Sequence, residues 1–435
     1  MLKRPQPVFL FIVSMLAAAS MWFYVDKVLV GYQVADAAVH DRPRGNLSDL
    51  YPRWLGAREL LLHGRNPYSP EITAEIQKGY YGRVLDASRP DEPRDQQGFA
   101  YPVYAIFLLA PVLGLSFHTV QILFHWMLIA FTAASVLLWL RTLQWRLPAL
   151  VTASCMALTL DSLPVVQGIK LQQLSLLVAA LLAASAASVA GGFLFLGGMF
   201  LALATIKPQL AGPLVAWLLI WAVSDWKNRR RLVLGFGATM VLLLVGSELV
   251  LPSWWRMFLE AIRRYHQYTN NESVLDEMVD WTFGRFGGTI LAAVAVLSSA
   301  VFLWRLRHER EDSREFALSV VLVLALTVMI IPMYSPYNQV LLLPAIFLLA
   351  KESRSLLSAS PAVRVAYAAT GLALAWPWMA ALGLSVVWFA STSVALRGWK
   401  LPFYATLIFP VLMFALTLLS AQDRVTALRV DKVAR

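Results

Sequence analysis

Between Thr119 and Leu140 the chain reads TVQILFHWMLIAFTAASVLLWL, twenty-two residues without one Asp, Glu, Lys or Arg. A helix of that length extends about 33 Å at 1.5 Å per residue, enough to cross a hydrocarbon core of about 30 Å. Further apolar runs occupy residues 8 to 25, 232 to 251 and 316 to 331. Of the 435 residues, 59% are hydrophobic and only 14% charged, where soluble domains have about 45–50% and about 25%. That composition excludes a water-soluble globule and predicts an all-α integral membrane protein of the multi-pass class.

Working outward from this run, spans are expected at residues 8–30, 118–140, 148–166, 172–189, 192–206, 209–224, 232–250, 288–304, 316–332, 337–350, 362–384 and 402–420, about 12 transmembrane helices. Residues 362 to 396 also admit two short spans, which would move the C-terminus to the other side. The stretch Tyr101 to Phe117 is short and broken by Pro111. Laying it in the interface keeps Arg141 and Arg146 on the inner side, as the positive-inside rule asks.

The net charge of +11 would point to nucleic acid in a soluble protein. Here it gathers beside apolar runs, as in Lys227-Asn228-Arg229-Arg230-Arg231 and Arg305-Leu306-Arg307, so it reads as orientation, and no nucleic-acid partner is expected. Twelve spans place these clusters, residues 351–354 and the basic C-terminal tail in the cytoplasm. A lone Cys155 excludes an intrachain disulfide and a cysteine-rich metal site. The N-terminal Met-Leu-Lys-Arg and the apolar stretch to Ser20 have the ingredients of a signal peptide. Because apolar and aromatic residues continue to Tyr24, an uncleaved first span is expected, with Lys3 and Arg4 inside.

The chain shows no internal repeat and no low-complexity linker, so residues 1–435 are read as one membrane domain. Its two sizeable outer loops are residues 32–117 and 252–287. In the first, Leu50, Trp54, Ala57 and Leu61 recur at helical spacing, predicting an amphipathic helix over Asp49 to Gly64 that lies on the membrane surface. Pro52 is tolerated in its first turn, Gly64 suits its end, and Pro67 prevents continuation.

Phosphate-binding glycine loops, His-Glu-x-x-His and Gly-x-Ser-x-Gly are all missing, which argues against nucleotide-driven and soluble hydrolase chemistry. Polar groups instead collect at the outer span ends and in the two loops. Asp49-Leu50-Tyr51, the run Gly56-Ala57-Arg58-Glu59-Leu60-Leu61-Leu62-His63-Gly64-Arg65-Asn66-Pro67-Tyr68, Phe99-Ala100-Tyr101-Pro102 and Leu108-Leu109-Ala110-Pro111 resemble glycosyltransferase family 87. The resemblance continues at Gln173-Leu174-Ser175, Lys207-Pro208-Gln209 and Ser335-Pro336, and so covers most of the chain in order.

This resemblance implies a GT-C fold with interfacial helices in a long first outer loop. It implies a mannosyltransferase that inverts the anomeric carbon and takes its sugar from a polyprenyl phosphate. It also implies a bacterial plasma membrane. The expected partners are the lipid-linked sugar donor, a glycan or glycolipid acceptor, and membrane lipids; no cofactor and no divalent metal is indicated. Segment Asp86 to Gln97 is more highly charged than the family pattern, a departure that bears on the acceptor.

The resemblance also carries the family's acidic base of the first outer loop onto Asp49, ahead of Asp36 and Asp41. A competing reading makes Asp49 the N-cap of the loop helix, and a carboxylate committed to backbone N–H groups is a poorer base. Lys207, a cation at an outer span end against the positive-inside tendency, points to the donor phosphate; the bland reading is a snorkelling lysine. Arg58 and Arg65 flank the loop helix and either meet phosphate or solvate it. The stretch Trp254 to His266 reads as an interfacial anchor, and one of Arg263, Arg264 and His266 is expected to clasp phosphate as well.

His118, Gln121 and His125 share one helical face expected to point into the bundle, lining a sugar or acceptor cavity or forming an interhelical hydrogen-bonded stripe. Asn338 and Gln339 are candidates for sugar hydroxyls. Asp161 and Lys170 read equally well as a structural ion pair or as substrate contacts. Asp276, Glu277 and Asp280 lack a cation-binding spacing. Asn46-Leu47-Ser48 and Asn271-Glu272-Ser273 match the glycosylation acceptor pattern, and a glycan at Asn46 would crowd Asp49. The rivals from other classes are a transporter or lipid flippase and a non-catalytic envelope scaffold.

Overall fold

A computed structural model describes residues 6–43, 45, 48–86, 88–89, 92–269, 272–284, 286–332 and 334–433, with backbone alone for 281 and 421–433. Lys3, Arg4, Asn46 and Asn271 lie outside the described residues. Among those described, every regular element is helical. Six helices are long and apolar enough to cross a membrane: Pro7–Val39, Phe117–Thr142, Trp226–Val250, Gly287–Leu306, Pro361–Ala390 and Thr392–Ser420. Ala149–Leu160 and Leu163–Lys170 make a seventh if their 58° bend is taken within one span. The break falls at Asp161-Ser162, where Ser162 is extended (ψ 143°), and Pro164, in the first turn of the second helix, has no N–H with which to continue the first.

Helices also occupy the other expected segments, but they are short. Leu174–Ala190, Pro208–Ser224 and Arg314–Ile330 have 17 residues each. Leu194–Leu203 and Leu343–Lys351 are shorter still, each extended by a 3-10 turn. Residues 361 to 390 form one continuous helix through Pro377, not two. The Tyr101–Phe117 stretch folds as two 3-10 turns, Val103–Leu108 and Ala110–Val112, too short to cross.

Side-chain distribution decides which helices are central. Leu174–Ala190 and, beyond its first two residues, Arg314–Ile330 are without charged groups on any face, and 13 and 14 of their 17 residues are buried, the behaviour of helices with protein on every side. Trp226–Val250 buries only Arg229, Leu232, Gly235 and Ser247. Its outer face shows Val241, Leu242, Val245 and Leu249, as a helix facing lipid does. Within the cluster at 227–231, Arg229 turns inward, stacking on Trp221 at 3.9 Å and donating to the carbonyls of Trp221, Arg307 and Glu309. It thereby satisfies carbonyls at helix ends that would otherwise be unpaired.

Leu194–Leu203 and Trp226–Val250 touch backbone to backbone. A Cβ on Gly198 would meet Leu232 O at 2.1 Å and Phe236 N at 2.6 Å, and one on Gly235 would meet Phe195 O at 2.1 Å. Small residues permit such close helix contact in membranes. Gly198→Ala is therefore expected to force the helices apart and destabilise the protein by about 1–3 kcal/mol, measured as a lower unfolding temperature in detergent. An unchanged transition would contradict the contact.

The first loop holds two helices, Leu50–His63 and Pro70–Tyr81. The former has the expected bounds, ending on Gly64 at φ 66°, but it does not simply lie on a surface. Eight of its 14 residues are buried, including the polar Arg53 and Glu59. Phe99 packs so tightly on Gly56 that a Cβ there would meet its ring at 2.6 Å. Trp54 and Tyr51 pack against Phe117, so the loop folds back over the helix and covers both sides.

Candidate functional site

A cavity of about 280 Å³ opens where this loop helix meets residues 95–102, the turn 206–209, the helix Trp254–Tyr268 and residues 331–338. Asp49 lines it. Although Asp49 precedes the helix Leu50–His63, its side chain makes no cap hydrogen bond. The carboxylate instead accepts from Gln173 Nε2, so the capping alternative is set aside. Burial raises the Asp49 carboxyl above the usual carboxylate range, against the pull of Arg53 and Lys207 and of hydrogen bonds from Gln173 and Tyr80.

Gln173 reaches the cavity because of the turn before it. The helix Leu163–Lys170 closes with Gln173 N donating to Gly168 O at 2.8 Å and Gln172 N to Ile169 O at 3.1 Å. Gln172 takes the left-handed conformation, φ 52°, that glycine ordinarily supplies in this motif. Its side chain is held on both sides, accepting from Ser48 and donating to Gln121 O at 2.6 Å. Gln173 then begins the next helix with its side chain buried.

From Gln173 a line of hydrogen bonds crosses the cavity wall. Lys207 Nζ donates to Gln173 Oε1 at 2.9 Å and to Ser175 Oγ at 2.8 Å, and Ser175 donates to Asn338 Oδ1 at 2.8 Å. Lys207 is only 6% exposed and stands 5.4 Å from the ring centre of Tyr337. Arg53, 7% exposed, donates to Asp49 O and Tyr101 Oη and lies 4.4 Å over the Tyr101 ring. Its Nε has no hydrogen-bond partner among the described residues.

Asp95 is a second acid on the wall. Its oxygens accept from Gln97 N at 2.9 Å and Gln97 Nε2 at 3.0 Å, with Gln97 held at φ 54°. Burial, with the Asp49 charge adding, pushes the Asp95 carboxyl up to about 6, while the Gln97 hydrogen bond and Arg53 oppose it. The cavity thus presents two cations and two carboxylates in partly desolvated surroundings, which is how sites that move protons and bind anions are composed.

Among the expected residues, Asp49, Lys207, His266 and Asn338 line this cavity. Others lie elsewhere. Phe258, Ile262, Tyr265 and His266 form the cavity face of Trp254–Tyr268, which leaves Arg263 exposed outside it and Arg264 donating to Tyr68 O at 3.3 Å. Arg58 stacks on Trp54 at 5.3 Å, and Arg65 pairs with Glu59 at 2.8 Å. Asp36 pairs with His40, and neither it nor the exposed Asp41 reaches the cavity.

The stripe His118, Gln121, His125 does not point into the bundle. The buried face of that helix runs through Val120, Phe124 and Leu128; His118 is exposed, and Gln121 and His125 line a separate open cleft with Trp22 and Lys170. Gln339 turns away from Asn338 to donate to Thr406 O at 2.5 Å. Lys170 pairs with Asp26 at 3.1 Å and Asp161 accepts from Trp378 at 2.9 Å, so the two do not pair with each other. Asp276 forms a capping box with Ser273, and Asp280 accepts from Gly288 N.

Arg53, Gln173 and Asp95 were not singled out from the sequence. Arg53 had a usable signal, since it follows Asp49 by four residues along the helix. Gln173 stood in a recognised motif without an assigned role, and Asp95 lay in a charge-rich stretch with nothing to distinguish it. Against known proteins, the profile of Glycosyltransferase family 87 matches residues 99–332, more than half of the chain. No curated protein and no solved structure matches.

Proposed function

The chain belongs to glycosyltransferase family 87, and from that premise we propose that this membrane glycosyltransferase transfers a hexose, mannose in our reading, from a polyprenyl phosphate to a glycan or glycolipid acceptor. The acceptor hydroxyl attacks the anomeric carbon as the carbon–oxygen bond to phosphate breaks, inverting the centre in one displacement. Asp49 takes the hydroxyl proton. The bonding electron pair leaves on the phosphate, whose charge grows from about −1 to about −2. Nearby cations stabilise that growth most in the transition state. We assign this to Lys207 and Arg53, so no metal or other cofactor enters the proposal.

The observation that carries the reading is the pairing, in one cavity, of a carboxylate released from its helix with two buried cations. A base performs best with its pKa near the working pH, and burial moves Asp49 in that direction. For Arg53, an Nε without a partner among the described residues, in a buried guanidinium, supports a role with an anionic ligand. Tyr265 and His266 border the cavity on the side of the second loop.

We further propose the GT-C arrangement, with the short helices counted among twelve spans, in a bacterial plasma membrane with the cavity on the outer face. Purified protein in liposomes, supplied with a panel of polyprenyl-phosphate sugars and with nucleotide sugars, tests the reading. Transfer from polyprenyl-phosphate mannose is expected. Transfer only from a nucleotide sugar would overturn the donor, preference for another hexose would replace mannose, and no transfer from any donor would sink the proposal.

A further inference from the structure

We propose that Gln173 is a positioning residue that couples the base to the phosphate-binding cation while keeping the two from forming a direct ion pair. The inference rests on the roles proposed above for Asp49 and Lys207. Its geometry is a bridge: Gln173 Nε2 donates to the Asp49 carboxylate, and Gln173 Oε1 accepts from Lys207 Nζ at 2.9 Å. The amide can take one orientation only. An ammonium has no acceptor and an ionised carboxylate has no donor, so the carbonyl end must face Lys207 and the NH2 end Asp49.

Of the groups that fit this space, a neutral primary amide meets both charges at once without adding its own. A carboxylate and a lysine in direct contact would form an ion pair, which lowers the basicity of the one and occupies the other. Set one amide apart, Asp49 feels Lys207 only through space. Lys207 spends two of its three N–H groups on Gln173 and Ser175, leaving one for a phosphate oxygen. The bridge is also anchored rather than loose. Gln173 N is tied to Gly168 O at 2.8 Å, and the adjoining left-handed Gln172 is clamped by Ser48 and Gln121.

The test compares wild type, Gln173→Leu and Gln173→Glu in the liposome assay, reading kcat, donor KM and the pH dependence of kcat/KM. Leucine removes the hydrogen bond that stabilises the ionised Asp49, so the acid limb should move to higher pH. Glutamate has nearly the same shape but puts a like charge beside Asp49 and an ion-pair partner beside Lys207. Its limb should move further up, with a higher donor KM. In both, kcat/KM at neutral pH should fall about 10- to 100-fold, the worth of a hydrogen bond to a charged group.

A residue that merely supports the fold would lower yield or unfolding temperature and leave the acid limb in place. An unmoved limb in both variants therefore overturns the bridge, and the near-isosteric glutamate keeps the test valid if leucine prevents folding. Asp49→Asn is run in parallel. If that enzyme keeps its turnover, the base assignment fails and this inference with it. If it is dead while both Gln173 variants titrate like wild type, only the bridge is lost.

Discussion

Asp49→Asn is expected to lower kcat by about 10²–10⁴-fold, the usual contribution of a positioned general base, with donor KM little changed. Asparagine preserves the shape and can still accept from Gln173, so folding and donor binding have no reason to change. What disappears is the proton acceptor. The pH profile supplies an independent check. The base acts only when ionised, so kcat/KM must fall as pH drops through the Asp49 pKa, which burial raises above the ordinary aspartate value.

Asp95, pushed up to about 6, shapes the same limb. As pH rises through that value Asp95 becomes charged and disfavours the charge on Asp49, so the pair should titrate broadly, with macroscopic steps that belong to both groups. The acid limb should vanish from the residual activity of Asp49→Asn. Initial rates against donor concentration at several pH values measure both effects. A variant within tenfold of wild type, or one that keeps the limb, would move the base to another residue, with Asp95 the next acid in the cavity.

The sequence made the membrane class legible because long uncharged runs have few alternatives, and Gly64 and Pro67 fixed the end of the loop helix by backbone chemistry alone. It was less informative about burial within the bundle. Periodicity around His118 identified one helical face, but lipid and protein interior are both apolar, so the pattern did not distinguish the polar stripe from the neighbouring buried stripe of Val120, Phe124 and Leu128. Charge counting located Arg58, Arg65, Arg263 and Arg264 yet passed over Arg53, whose guanidinium is held against Tyr101, 48 residues along the chain.

The same limit applies to the acid. An aspartate before a helix reads as a cap, and nothing local shows that Gln173, 124 residues away, withdraws its carboxylate into a cavity. Contacts of that separation are set by how the spans stack, which no window of sequence contains. The motif around Gln173 was visible; its chemistry became readable only when Asp49 and Lys207 were found at the two ends of its amide.

Lys207→Met should lower kcat by about 10²–10³-fold and raise donor KM, while leaving the protein as stable as wild type or more so. A buried ammonium is expensive unless a charge meets it directly, and Lys207 faces Asp49 only across the Gln173 amide, its own hydrogen bonds going to Gln173 and Ser175. Methionine keeps the length of the stem and removes the charge, so a snorkelling or purely structural lysine would lose little activity by the change. A lysine that meets the leaving phosphate loses most where the phosphate charge is greatest, in the transition state, and so should show the larger effect in kcat. Arg53→Met should act in the same direction, and the double variant should cost less than the product of the two single effects, because both cations answer one phosphate. Rates and thermal unfolding of the three variants decide the matter. A Lys207→Met enzyme within threefold of wild-type kcat would remove Lys207 from the phosphate and leave that role to Arg53.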